Sequence, residues 1–194
     1  MDRILYKVSY NVAKQNWDND MTPAPLLQAA NSTLSTPGIA LDLGCGTGTQ
    51  AVELASLGWT VYGIDYVPKA IRVAKEKAYQ NNMVSKTNFK LGDVSKLSKM
   101  QIPAIDFAYD LGCLHALNTK KQKNYVRGLA DVLKPGALYL LFGLKFHNEF
   151  GFKFGLSCGQ VIDLFRQYFN LESRREDFLW YKPGAWFWLR RKIA

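Results

Sequence analysis

Cysteine is scarce in this chain: Cys45, Cys113 and Cys158 are the only three, at wide spacings. An odd number of scattered thiols suits neither a disulfide framework nor a zinc site, so reduced cysteines are expected. Long apolar runs are missing as well. No stretch approaches the ~20 residues of a membrane-spanning helix. The opening Met1-Asp2-Arg3-Ile4-Leu5-Tyr6-Lys7 lacks the long apolar segment of a secretion signal. These absences predict a soluble, cytoplasmic protein without a membrane partner. Internal repeats and low-complexity tracts are absent too. Acidic residues are in the minority, 16 against 25 Lys plus Arg, which leaves a net charge of +9 and raises the question of an anionic partner. The lysines are scattered over amphipathic segments, and the densest groups are only Arg174-Arg175 and Arg190-Arg191-Lys192. That distribution reads as solvated surface.

What the chain does have is enough apolar material, 48% of 194 residues, to bury one good core. From Ile39 onward, short apolar runs alternate with amphipathic segments, the pattern of βα units on a parallel sheet. Strands are expected at Ile39 to Leu43, Thr60 to Ile64, Asn88 to Leu91, Ile105 to Tyr109 and Ala137 to Phe142. Helices are expected from Gly48 to Leu57, from Pro68 to the Asn81-Asn82 break, from Thr119 to Leu133, and from Ser157 to Tyr168. Two final β-rich runs, Asn170 to Phe178 and Ala185 to Ile193, read as a hairpin with Pro183-Gly184 supplying the turn. The fold class is therefore α/β: a Rossmann-like, mostly parallel seven-stranded sheet with helices on both faces and an antiparallel C-terminal hairpin. We expect a single domain over 1–194, with a helical N-terminal lid at 1–36 and a catalytic core at 37–194.

In an open α/β sheet, ligands bind beyond the carboxyl ends of the strands. Four groups of chemically useful residues fall there. They are the loop Gly44-Cys45-Gly46-Thr47-Gly48 after the first strand, Asp65 after the second, Asp93 after the third, and Asp110-Leu111-Gly112-Cys113-Leu114-His115 after the fourth. Glycines allow positive φ and close backbone approach to a ligand. An acid about 20 residues after such a loop is placed to hold ribose hydroxyls. Each position also has a plainer reading. Asp65 and Asp93 could cap the helical turns that follow them, and Asp42, inside the first strand, could order the glycine loop by accepting backbone N–H bonds. The loop is not followed by Gly-Lys-Ser/Thr, which excludes a phosphate-cradling NTPase. Thr49 stands where a nicotinamide dehydrogenase wants its third glycine.

Taken together these residues resemble the class I S-adenosylmethionine-dependent methyltransferases. Leu41-Asp42-Leu43-Gly44-Cys45-Gly46-Thr47-Gly48 is similar to that family's first motif, Gly63-Ile64-Asp65 to its second, and Leu91-Gly92-Asp93-Val94 to its third. Leu133-Lys134-Pro135-Gly136-Ala137 is similar to the segment before its fifth strand, with Ala137 where a further glycine is usual. The resemblance implies S-adenosyl-L-methionine as cofactor and S-adenosyl-L-homocysteine as product. It places the methionine part against the backbone of Gly44, Cys45 and Gly46, the ribose on Asp65, and the adenine amino group on Asp93 beside Val94. The ammonium falls to the backbone of Asp110 or Leu111. Trp17, Asp42, Thr49 and Tyr66 complete the expected cofactor set; no metal is expected.

Methyl transfer depends on in-line alignment in a dry pocket and requires no dedicated catalytic side chain. If the acceptor must lose a proton, His115 is the nearest candidate base, although a structural histidine is an equal reading. The Asn/Asp-Pro-Pro-aromatic run of DNA amine methyltransferases and the Pro-Cys of cytosine C5 enzymes are absent. Asp110-Leu-Gly-Cys-Leu-His-Ala-Leu, Trp17 before Pro23 and Pro25, and Ala185-Trp186-Phe187-Trp188-Leu189-Arg190 look similar to compact small-molecule methyltransferases of the thiopurine and tellurite type. Leu111 departs from that group, which often has Arg there. Under this reading Tyr6, Tyr10 and Trp17 belong to a lid, and Phe146, Phe150, Phe152 and Phe154 line an apolar substrate pocket. The expected partner is a small molecule, with the chain a monomer or homodimer. An RNA methyltransferase or a non-catalytic cofactor-binding subunit stands as the alternative.

Overall fold

The computed structural model describes residues 21–33, 35–145, 147–149 and 152–193. The expected lid residues Tyr6, Tyr10 and Trp17 lie outside the described residues, as do Phe146 and Phe150. Helix α1 (Ala24–Thr33) is followed by alternating strands and helices: β1 (Ile39–Leu43), α2 (Thr49–Ser56), β2 (Thr60–Asp65), α3 (Pro68–Gln80), β3 (Thr87–Leu91) and β4 (Ile105–Asp110). Then come α4 (Thr119–Val132), β5 (Leu133–Leu144), a two-stranded ribbon of β6 (His147–Glu149) and β7 (Phe152–Phe154), α5 (Cys158–Phe165), β8 (Phe169–Leu179) and β9 (Lys182–Arg191). Phe152 and Phe154 thus fall on β7.

The main sheet has seven strands in the order β3-β2-β1-β4-β5-β9-β8. The first five are parallel, and β9 returns antiparallel to both β5 and β8. Strand order reverses beside β1, which opens a crevice at the carboxyl ends of β1 and β4. Local chemistry explains the elements. Pro68 opens α3, where its missing N–H leaves no hydrogen bond unmade. Asn118 caps α4 by accepting the Lys121 N–H, and Ser157 with Gln160 forms a reciprocal capping box at α5. One apolar layer packs α1, α2 and α3 on one face around Leu26, Leu54, Trp59, Ile71 and Phe107. The other packs α4 and α5 on the opposite face around Val126, Leu129, Phe165 and Phe187. Among the described residues no helix is long and apolar enough to cross a membrane.

Two expected boundaries moved. Lys134-Pro135-Gly136, read as a loop, belongs to β5, where the register with β4 jumps between Ile105 opposite Leu133 and Phe107 opposite Leu138. The extra residues form an irregularity inside the strand. The hairpin turn is not Pro183-Gly184 but the pair Trp180-Tyr181, with Leu179 opposite Lys182 and both turn residues at positive φ, 48° and 68°. Each such residue costs about 1–2 kcal/mol when it is not glycine. Gly184 is required for a different reason: a Cβ there would lie 2.5 Å from Phe142 Cζ and 2.6 Å from the Gly143 carbonyl oxygen. On the outer strand β8, the register skips Glu172 between Leu171 and Ser173. That bulge and the charges of Arg174, Arg175, Glu176 and Asp177 discourage another strand from adding to this edge.

Candidate functional site

The loop after β1 turns back because three glycines, Gly44, Gly46 and Gly48, take positive φ of 78°, 53° and 77°. Space demands glycine as well. A Cβ on Gly44 would lie 2.6 Å from Cys113 Cβ, and one on Gly48 would lie 2.8 Å from both Ala74 Cβ and Phe89 Cζ. The loop is therefore pressed against the turn after β4 on one side and against α3 and β3 on the other. Its amides are tied to the end of β2: Gly44 and Cys45 donate to the Ile64 carbonyl at 2.8 and 3.0 Å. Gly46 donates to Asp65 Oδ2 at 3.0 Å, while Asp65 Oδ1 accepts the Val67 N–H at 2.8 Å. Asp65 thus orders the glycine loop and braces the start of α3 together. With the Tyr66 N–H as a third donor, three of roughly four lone-pair sites on its carboxylate are taken up by backbone. Burial raises its pKa above the usual carboxylate value, against the pull of the backbone N–H bonds from Val67, Gly46 and Tyr66.

Asp110, at the end of β4, is fully buried and spends its side chain inside the protein. Its Oδ1 accepts the Gly112 and Cys113 N–H groups at 2.8 and 2.6 Å, and its Oδ2 accepts the Leu114 N–H at 2.9 Å and the Tyr125 hydroxyl at 2.8 Å. Tyr125 in turn lies 2.9 Å from the Tyr139 hydroxyl. Burial pushes Asp110 up to about 6, with those four donors pulling the other way. This carboxylate shapes the turn that presents the Asp110 and Leu111 backbone at the crevice. Tyr125→Phe should cost about 1.5–3 kcal/mol in a denaturant titration, because a donor to a buried acid is lost. An unchanged midpoint would show that the tyrosine is dispensable.

Asp42 does not accept backbone N–H groups as expected. It lies opposite Tyr109 in the β1–β4 register, and its Oδ2 accepts the Tyr109 hydroxyl at 3.0 Å. Burial pushes it up to about 8, with the Tyr109 hydrogen bond lowering it and the charges of Asp110 and Asp65 adding to the rise. The plainer reading of Asp93 is present in the structure: Oδ1 accepts both the backbone N–H and the hydroxyl of Ser95, at 3.0 and 2.7 Å, capping the 3-10 turn Val94–Lys99. Its Oδ2 lies 3.5 Å from Lys121 Nζ, and Val94 is buried just beyond. Tyr66 is half-buried after Asp65, and Leu111 half-buried after Asp110. His115 sits in the turn Leu114–Ala116, its Cε1 3.2 Å from where a Gly112 Cβ would stand, so the bare backbone at Gly112 (φ 113°) accommodates the ring.

The carboxyl edge therefore gathers Gly44, Cys45, Gly46, Asp65, Tyr66, Asp93, Val94, Asp110, Leu111 and His115. Thr49 is not among them. It opens α2, and its hydroxyl, like that of Thr47, accepts from Lys77 of α3. Lys77 is thus held between the glycine loop and the start of α2. Sequence reasoning missed the buried tyrosines 109, 125 and 139, since a hydroxyl in an apolar run carries no signal until its partner strand or helix is placed. At the two cysteines of the edge, burial raises the Cys45 and Cys113 thiols well above their usual range, with the neighbouring carboxylates adding to it. Among the described residues no group of three or more His, Cys, Asp or Glu side chains is arranged to hold a metal.

The sequence profile of the methyltransferase-domain family matches residues 40–136, half of the chain, and covers β1 through the start of β5 with every edge residue just described. The chain belongs to the methyltransferase-domain family. Two solved structures of similar fold, at 17% and 16% identity, carry S-adenosylhomocysteine. An uncharacterized methyltransferase of Schizosaccharomyces pombe is 34% identical over 92 residues, 47% of this chain and 61% of that protein. The 2-heptyl-1-hydroxyquinolin-4(1H)-one methyltransferase of Mycobacteroides abscessus is 29% identical over 104 residues, 54% of this chain and 45% of that one. Other matching relatives are named as RNA methyltransferases. The chain spans about half the length of the curated relatives it matches. Among solved structures, the 1,6-didemethyltoxoflavin-N1-methyltransferase of Burkholderia thailandensis, with 1,6-didemethyltoxoflavin and S-adenosylhomocysteine bound, has a TM-score of 0.80. The match covers 98% of this chain and 87% of that one at 17% identity, a likeness of fold.

Proposed function

We propose that this methyltransferase-family chain transfers a methyl group from S-adenosylmethionine to a small molecule bearing a sulfur, oxygen, nitrogen or metalloid nucleophile. The observation that carries the reading is the Asp65–Gly46 bond at the edge of the crevice, which joins a left-handed glycine loop to a carboxylate with acceptor capacity left over. The chemistry of the edge suits a phosphate-free, cationic nucleoside: a glycine backbone that permits close approach and acids stand at the strand ends, and Lys77 is turned to Thr47 and Thr49. When bound, the cofactor supplies an activated methyl group on a positively charged sulfur. In this reading Asp65 receives the ribose hydroxyls, the Asp93 region and buried Val94 border the adenine, and the backbone at Asp110 and Leu111 receives the ammonium. The protein's own contribution is alignment in a water-poor crevice, which can supply ~7–11 kcal/mol of barrier reduction. In this reading His115, whose ring lies over Gly112 just past β4, takes the proton from an O–H, N–H or S–H acceptor.

The small-molecule assignment draws on the dispersed surface lysines and on the quinolone methyltransferase among the relatives. The thiopurine and tellurite likeness adds thiols and chalcogen oxyanions to the acceptors worth screening. An RNA acceptor is the second reading, favoured by the +9 charge and by the relatives named for RNA. One assay separates them. Methyl-labelled S-adenosylmethionine is incubated with the protein and cell extract, and the extract is then divided into low-mass, RNA and protein fractions. Label in the low-mass fraction supports the proposal, and label in RNA with steep salt dependence supports the second reading. Cofactor binding without any transfer would instead identify a non-catalytic binding subunit.

A further inference from the structure

Lys77 stands on the last turn of α3, and its ammonium donates to two hydroxyls at once, those of Thr47 at 3.3 Å and Thr49 at 2.5 Å. The two threonines flank Gly48, one inside the glycine loop and the other opening α2. Space explains how a helix-borne lysine reaches both. A Cβ on Gly48 would lie 2.8 Å from Ala74 Cβ, so the bare glycine lets the loop settle directly on α3. Ala74 and Lys77, three residues apart, are neighbours on the helix surface. The loop thus rests on Ala74, and the ammonium one turn further on bonds its hydroxyls.

The same loop is held from its other side. Gly46 donates to Asp65 Oδ2, and Asp65 Oδ1 accepts the Val67 N–H where α3 begins. Both ends of α3 therefore fasten the glycine loop, the first through a carboxylate and the last through an ammonium. The two fastenings face different surroundings. Asp65 ends β2 at the crevice, whereas Lys77 borders a groove between α2 and α3 together with Thr49, Val52, Glu53, Ser56, Gln80 and Asn81, none of them an edge residue. The backbone supplies the need for a second fastening: Gly44, Gly46 and Gly48 all hold positive φ, and glycine has the most conformational freedom to lose on ordering. A loop that leaves its competent path binds its ligand more weakly, in proportion to the time spent elsewhere.

We propose that Lys77 is a positioning residue for the cofactor: by tying Thr47 and Thr49 to α3 it keeps the glycine loop in the path that S-adenosylmethionine requires. This rests on the methyltransferase reading above. A charged donor makes the stronger kind of hydrogen bond, and one ammonium serving two hydroxyls restrains the chain on both sides of Gly48. Lys77 acts through those hydroxyls and makes no contact with the cofactor itself.

The test uses the full chain with Lys77→Met, which keeps a long apolar stem and removes the ammonium. The residue is half-buried on a helix surface, so the melting temperature should stay within a few degrees of the parent. Affinity for S-adenosylmethionine by calorimetry should fall on the order of tenfold. In the cofactor-free chain, amide exchange should quicken about threefold or more across residues 41–50 and stay unchanged in β5. Lys77→Arg, which restores a charged donor, should bring affinity back to within about threefold of the parent. Thr47→Val combined with Thr49→Val should reproduce the loss, and adding Lys77→Met to that pair should cost nothing further. Affinity within about twofold of the parent in Lys77→Met overturns the inference and leaves the methyltransferase reading standing. So does a further loss in the triple variant, since Lys77 would then act by another route, or exchange that quickens throughout the sheet, since it would then serve the fold at large. A parent chain that binds no S-adenosylmethionine removes the methyltransferase reading and this inference with it.

Discussion

Asp65→Ala should weaken S-adenosylmethionine binding on the order of a hundredfold in a calorimetric titration. Asp65, 7% exposed, ends β2 at the crevice edge, with the backbone N–H groups of Gly46, Val67 and Tyr66 already on its carboxylate. Hydrogen bonds to a charged acceptor contribute about 1.5–3 kcal/mol each. Losing a ribose contact at the upper end of that range reaches about a factor of a hundred. Alanine also releases the Gly46 N–H from its partner, so part of the loss comes through a loosened glycine loop. Asp65→Asn separates the two effects: an amide oxygen still accepts from one neighbour, but the charge is gone, and affinity should fall to a value between parent and alanine. If Asp65→Ala binds within threefold of the parent, the acid is only a brace for the loop and α3. The pocket assignment would then be wrong.

The second large effect is on stability and involves Asp42. Burial holds its carboxyl at about 8 in the folded chain against an ordinary 3.8. Below about pH 4 both the folded and unfolded states keep the proton, and this contribution to stability is fully present. From there to about pH 8 the unfolded chain gives up its proton while the folded chain retains it, so stability declines as pH rises, and beyond that range the loss is complete. A displacement of this size corresponds to on the order of 5 kcal/mol. Asp110, at about 6, and Asp65, also raised, titrate in the same direction and deepen the decline. Asp42→Asn should be slightly less stable than the parent near pH 5, because a buried amide brings donors that need partners. It should be more stable at pH 9, with the two curves crossing between. Denaturant midpoints from pH 5 to 9 measure this, and parallel curves for parent and variant would show that Asp42 carries no proton near neutral pH.

The acids of this edge divide by what surrounds them. Asp42 lies opposite Tyr109, and Asp110 is the next residue on β4, so the two acids face opposite sides of the sheet, each bonded to a tyrosine hydroxyl. Asp65 and Asp93 are bonded mainly to backbone or to Ser95, so they keep their carboxylates at the edge. The carboxylates suited to a ligand are thus the two at the ends of β2 and β3, while the other two build the loops between which that ligand is proposed to lie.

How much of this was legible beforehand differs by element. The alternation of apolar runs with helical segments from Ile39 onward foretold the seven-stranded sheet, because a strand buried on both faces and an amphipathic helix leave different periodicities in a chain. The glycine loop was equally plain: left-handed backbone in a tight turn is a local requirement, met by the residues themselves at 44, 46 and 48. The expected lid residues Tyr6, Tyr10 and Trp17 and two of the four loop phenylalanines, Phe146 and Phe150, lie outside the described residues.

Local chemistry alone established the order of elements, the glycine turn, and which acids stand at strand ends. The assignment of Asp42 to Tyr109 and of Asp110 to Tyr125 was decided by tertiary structure, since sheet register and helix docking join residues 67 and 15 positions apart. So was the place of the hairpin turn. Pro183-Gly184 has the composition of a turn, but pairing along β5 draws both residues into β9, where Gly184 is needed for its contact with Phe142. Trp180 and Tyr181 are left to close the hairpin in a conformation their own preferences oppose. Propensity acts one residue at a time, whereas ladder bonds and packing act on the whole strand together, and here the larger sum prevailed.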